Sequence, residues 1–75
     1  MTKPIHMRFY DTSFMDFDMD HEGYTAAMLA MTKVRKPEHI ATGRAFLKKY
    51  AAKDGHVHQA LCKECLSHIE ASLAK

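Results

Sequence analysis

The apolar residues of this chain change period once, close to residue 20, and that change limits what the chain can fold into. Before it, Ile5, Met7 and Phe9 alternate with His6, Arg8 and Tyr10, and Met15, Phe17 and Met19 alternate with Asp16, Asp18 and Asp20. A period of two is that of a half-buried strand, and Asp11-Thr12-Ser13 between the runs is turn chemistry. Residues 5–19 therefore read as a β-hairpin with one apolar face, or as an extended arm. In the hairpin His6 and Arg8 sit across from the aspartates of the second strand. A lone hairpin is marginal in water, so its apolar face has to pack on the helices that follow or on another molecule.

Beyond residue 20 the spacing becomes three and four. Tyr24, Ala27, Met28, Met31 and Val34 form the stripe of a helix from Glu22 to Val34, widened by Leu29, with Asp18 or Asp20 as N-cap. Lys36-Pro37 ends that helix and starts the next, because proline disfavours helical geometry before it yet suits a first turn. Ile40, Gly43, Phe46, Leu47, Tyr50 and Ala51 mark the inner face of the second helix, and Asp54-Gly55 closes it. A third helix runs from Val57 or from Cys62 to Leu73, with Leu61, Leu66, Ile69 and Leu73 as apolar members. The expected fold is a small α+β, mainly helical single domain over 1–75, with a hairpin or arm (1–20) and a three-helix body (21–75).

A chain of 75 residues buries only about 60% of its unfolded surface, so a staple or a partner would matter. One candidate staple lies between His56 and His68, where three histidines and both cysteines fall within thirteen residues. Thiolate and imidazole are the ligands Zn²⁺ selects, and the gap of two between Cys62 and Cys65 lets both sulfurs reach one ion. If the last helix includes His58, then His58, Cys62 and Cys65 share a face at i, i+4 and i+7. If it starts later, the cysteines form a knuckle at its first turn, with His58 or His56 before them. Either way His58, Cys62 and Cys65 are the ligand set of one structural zinc, completed from His68, His39, His21 or His6. Against this stands ordinary packing, since free cysteines are among the most buried residues and both adjoin the apolar stripe. A redox dithiol is a third reading, without the βαβ context that usually accompanies one.

Charge is divided along the chain. Through Glu22 two bases face five acids, a net of −3, whereas from Gly23 nine bases face four acids, a net of +5. Such asymmetry bears on partners rather than on fold. Lys33, Arg35 and Lys36 crowd one turn, and Arg44, Lys48, Lys49 and Lys53 follow on the second helix at spacings of four. Together they are a candidate patch for nucleic-acid phosphates or an acidic partner. The opposing reading is a solvated helix face. Asp16, Asp18 and Asp20 are candidate partner contacts that could mimic phosphates, and Met7, Met15, Met19, Met28 and Met31 offer adaptable thioethers or simple core filling.

No phosphate-binding glycine loop, nucleophile elbow or His-Glu-x-x-His motif occurs. No apolar run approaches the ~18 residues of a membrane span, and the start lacks a signal-peptide core, so a cytoplasmic address is expected. These features point to a non-enzymatic regulator or inhibitor that binds a larger nucleic-acid-handling assembly such as a polymerase or nuclease complex. Phages and other mobile elements encode small proteins of that kind, which is an association rather than a derivation. Direct nucleic-acid binding through the basic second helix, with a structural zinc, is the alternative.

Overall fold

The first twenty residues are helical, not extended, which overturns the β-hairpin or arm expected for them. The computed structural model describes residues 3–74, and these contain no strand. They form α1 (Ile5–Tyr10), a 3-10 turn (Phe14–Phe17), α2 (His21–Ala30), α3 (Pro37–Ala51) and α4 (Gln59–Leu73). The chain is thus a small helical bundle, 69% helical, rather than an α+β domain.

The alternation misleads because each run has only three apolar members. Ile5 and Phe9 are also an i, i+4 pair, so α1 turns both inward while Met7 points out. Phe14 and Phe17 are an i, i+3 pair on one side of the 3-10 turn, which leaves Met15 and Met19 in solvent. Local polar groups favour these short turns. The amides of Met7 and Arg8 both donate to Pro4 O at 3.0 and 3.1 Å, and Ser13 Oγ accepts from the Met15 amide at 3.2 Å. Asp18 and Met19 then take left-handed backbone (φ 59° and 57°), a cost of about 1–2 kcal/mol per residue. The reversal aims the chain into α2, whose N-cap is Asp20, its carboxylate accepting from Gly23 N at 3.0 Å.

The core is chiefly aromatic. Phe17 is fully buried, with ring centroids of Tyr50, Phe46, Phe9 and Tyr24 at 4.9, 5.3, 5.6 and 5.8 Å. Two of these five rings come from the N-terminal segment, so that segment completes the core. Tyr24 ties it down further: its hydroxyl lies 2.8–3.1 Å from the carbonyls of Thr12, Tyr10 and Phe9, at the open end of α1.

Helices α2 and α3 approach closely because both present small residues. A Cβ on Gly43 would lie 2.8 Å from Ala27 Cα and 2.9 Å from Ala26 O, so only glycine permits this spacing. Helix α2 ends at Ala30, short of the expected Val34, which is 73% exposed in the turn to α3. Lys36 is extended (φ −113°, ψ 160°), as the following Pro37 requires, and α3 begins there as expected. It ends at Ala51, and Gly55 turns the chain with φ 85°. Helix α4 returns along α3, burying Cys62, Cys65 and Ile69 against it. No helix among the described residues is long and apolar enough to cross a membrane.

Candidate functional site

The densest set of long-range polar contacts lies where the 3-10 turn meets the end of α3 and the α3–α4 loop. Asp16 receives both loop histidines: His58 Nε2 lies 3.0 Å from Asp16 Oδ2, and His56 Nε2 lies 2.7 Å from Asp16 O. His56 Nδ1 accepts from the His58 amide at 3.1 Å, so its proton resides on Nε2, which donates to the carbonyl. Both imidazoles also lie nearly parallel to the buried Phe17 ring, at 5.3 and 5.4 Å. Two residues on, the Tyr50 hydroxyl donates to Asp18 Oδ2 at 2.6 Å.

Asp18 gathers cations as well. Lys49 and Lys53 reach it at 3.7 and 4.0 Å while lying 5.2 and 5.4 Å from the Tyr50 ring centroid. The Tyr50 hydroxyl first, and Lys53 next, hold the Asp18 carboxyl below its ordinary value of 3.8. Burial and the carboxylate it faces push the Tyr50 phenol up in turn. All three aspartates expected to meet a partner are therefore occupied at home: Asp16 by histidines, Asp18 by Tyr50 and two lysines, Asp20 by the start of α2.

Apolar side chains face outward at this junction beside the exposed Asp16, Asp18, Lys49 and Lys53. Met15 precedes Asp16, Met19 follows Asp18, and Val57 stands between the two histidines; their exposures are 66%, 56% and 73%. Met7 and Tyr10 are exposed on α1. Met31 is buried and Met28 packs on the core, so the methionines divide between surface and interior.

The basic residues do not form one patch. Lys49 and Lys53 serve Asp18 at the end of α3, and Arg44 faces Glu70 of α4 at 3.5 Å. Arg35 donates to Ser72 Oγ at 2.6 Å, beyond the opposite end of α3. Lys33, Lys36 and Lys48 are exposed and have no side-chain ion pair among the described residues.

The structure does not bring His58, Cys62 and Cys65 together. His58 is the N-cap residue of α4 with its ring turned to Asp16, while Cys62 and Cys65 point into the core with no exposed surface. Chelation by this set requires His58 to leave Asp16 and both thiols to leave the core. Burial pushes Cys62 up to about 11, and burial followed by the charges of Cys62 and Glu64 pushes Cys65 up to about 12, which disfavours the thiolate a metal binds. Among the described residues no group of three His, Cys, Asp or Glu side chains is placed to hold a metal ion.

The sequence patterns place Tyr24 and Tyr50 on inner helix faces and His56 among the alternative ligands, but miss their polar contacts, which depend on partners far away in the chain. His56-Val57-His58 was the available signal for the junction, since two histidines so close in one short loop can converge on one acceptor residue. No family model matches the chain, and no curated protein or solved structure matches it.

Proposed function

We propose that the protein works by binding rather than by catalysis, docking its N-terminal segment onto a protein of a nucleic-acid-handling assembly and regulating or inhibiting it in the cytoplasm. One observation carries this reading. Of the seven exposed large apolar side chains among the described residues, Met7, Tyr10, Met15 and Met19 fall within one thirteen-residue stretch, and Val57 adjoins the same junction. Scattered exposed apolar residues are normal, but a local concentration marks a contact surface. Thioethers adapt to an irregular partner, and here they are carried on turns held from beneath by Asp16, Asp18 and the Phe17 core. The aspartates thus serve recognition by fixing shape rather than by mimicking phosphate. Lys33 and Lys36 leave cationic surface beyond the docking end, suited to nucleic acid held by the partner.

The test pairs two measurements. Native-host lysate is passed over immobilised wild-type protein and over a Met15→Asp/Met19→Asp variant of matched melting temperature. A stoichiometric partner retained by the wild type and lost by the variant is the expected result; equal capture, or none, refutes the reading. Anisotropy of labelled mixed-sequence DNA and RNA is followed across a salt series in parallel. A flat response is expected, and a steep salt-dependent affinity would move the function to direct nucleic-acid binding.

A further inference from the structure

The far end of the bundle carries a second feature, a cavity of about 410 Å³ between the α2–α3 turn and the C-terminal part of α4. Met31, Thr32, Lys33, Arg35, His68 and Ser72 line it, and none of them is acidic. Arg35 is half-buried and donates through Nη1 to the neutral Ser72 hydroxyl at 2.6 Å. Among the described residues neither Arg35 nor Lys33 has a carboxylate within 4.0 Å. A partly desolvated guanidinium without a counter-charge is an incomplete arrangement, because the fork has further N–H groups and favours an anion.

The remaining donors fit the same ligand. Ser72 Oγ accepts from Arg35 and keeps its own proton to give, and His68 has a ring N–H even when neutral. The Thr32 hydroxyl is already committed to Leu29 O at 2.7 Å. Helix ends oppose an anion here, since α2 and α4 both finish at this side, each contributing about half a negative charge. Lys33 and Arg35 supply two full positive charges against that total of about −1, and the start of α3 adds about half a positive charge. The field in the cavity is therefore that of an anion site.

We propose that this cavity binds a terminal phosphate, either free or as a phosphomonoester. Such a group offers three oxygens and about −1.5 to −2 charge near neutral pH. That matches the guanidinium fork, the lysine and the Ser72 and His68 donors at once, whereas an internal diester has two free oxygens and one charge. None of the residues lining this cavity belongs to the apolar surface at the opposite end of α3.

Amide correlation spectra of the intact protein report binding residue by residue. Sodium phosphate is titrated at fixed pH, with chloride holding the ionic strength constant; phosphoserine forms a second arm and a dinucleotide diester a third. Saturable shifts at Lys33, Arg35, His68 and Ser72 are expected in the first arm, at least tenfold weaker in Lys33→Gln and absent in Arg35→Gln. Arg35→Gln also removes the tie to Ser72, so Lys33→Gln, at an exposed position, keeps the test decisive if the other variant is destabilised. Saturation by phosphoserine as well extends the site to monoesters, while saturation by phosphate alone restricts it to the free anion. Shifts that never saturate, that spread equally to Lys49 and Lys53, that survive both substitutions, or that the diester reproduces at equal affinity overturn the proposal.

Discussion

Replacing Phe17 by alanine separates the helical N-terminal segment from a hairpin more sharply than any other single change. On a strand, Met15, Phe17 and Met19 share one face and lose comparable contacts on truncation. In the bundle Phe17 is fully buried while Met15 and Met19 are 66% and 56% exposed. Phe→Ala in a core costs about 3–5 kcal/mol, and the four Phe and Tyr rings and two imidazoles within 6 Å of Phe17 place it at the upper end. Met15→Ala and Met19→Ala remove surface groups and should each stay within about 0.5 kcal/mol of wild type. A domain of this size has roughly 4–11 kcal/mol in total, so Phe17→Ala removes about half of it or all. Urea unfolding followed by far-UV circular dichroism measures each difference. Where Phe17→Ala leaves no folded baseline, Phe17→Leu keeps most of the volume and should cost about 1–1.5 kcal/mol. Equal costs at positions 15, 17 and 19, or a Phe17→Ala cost below about 1 kcal/mol, would refute the packing described here.

Three further outcomes follow from the same contacts. Gly43→Ala gains about 1 kcal/mol of helix propensity. It also drives a Cβ onto the α2 backbone at 2.8–3.0 Å, an overpacking cost near the upper end of about 1–3 kcal/mol. The melting temperature should therefore fall, by several degrees, and a rise would mean the two helices are farther apart. Asp18, whose carboxyl is held low by Tyr50 and Lys53, adds stability above its unfolded value of 3.8 that is lost as pH falls through its lower folded value. Asp18→Asn should flatten the acid limb of a melting-temperature series between pH 6 and 3, and an unchanged limb would remove that coupling. Cys62 and Cys65, pushed up to about 11 and 12 by burial, stay protonated in the fold where the unfolded chain ionises near 9. Stability should decline as pH rises above 9, and at neutral pH a thiol reagent should react only as fast as the protein opens; rapid labelling in native buffer would contradict their burial.

The three long helices are legible in the sequence because each carries its own punctuation: Asp20 before α2, Lys36-Pro37 before α3, Gly55 ahead of α4. The N-terminal segment is not, because helices of six and four residues are too short for a period of 3.6 to differ from a period of two. Cys62 and Cys65 show a different limit. Their spacing suits a metal, and with Ile69 it equally suits the buried stripe of a helix, so only the packing partner decides between the two. The polar junction was hidden for a third reason. Asp18 meets Tyr50 32 residues away, and Asp16 meets His58 42 residues away, distances over which no local pattern carries information.

The division of charge along the chain acquires a meaning from these contacts. A net of −3 before residue 23 and +5 after it suggests a polarised molecule facing a partner. Instead, Asp16 and Asp18 meet His58, Lys49 and Lys53, so much of the asymmetry is taken up in attaching the N-terminal segment to α3 and the loop beyond it. Arg8 and Glu64, each of the minority sign in its half, pair at 2.8 Å and join α1 to α4. Exposed pairs of this kind contribute only about 0–1 kcal/mol each, so they orient the segment while the Phe9 and Phe17 rings hold it. Among the described residues, cations without an ion pair remain at the other end, on Lys33, Arg35 and Lys36, as well as on Lys48 in the last turn of α3 and Lys63 on α4. Helix α3, 15 residues and so about 22 Å long, separates the two ends. Attachment of the N-terminal segment therefore neutralises part of the acidic charge at one end of α3 and engages none of the cations ahead of its start.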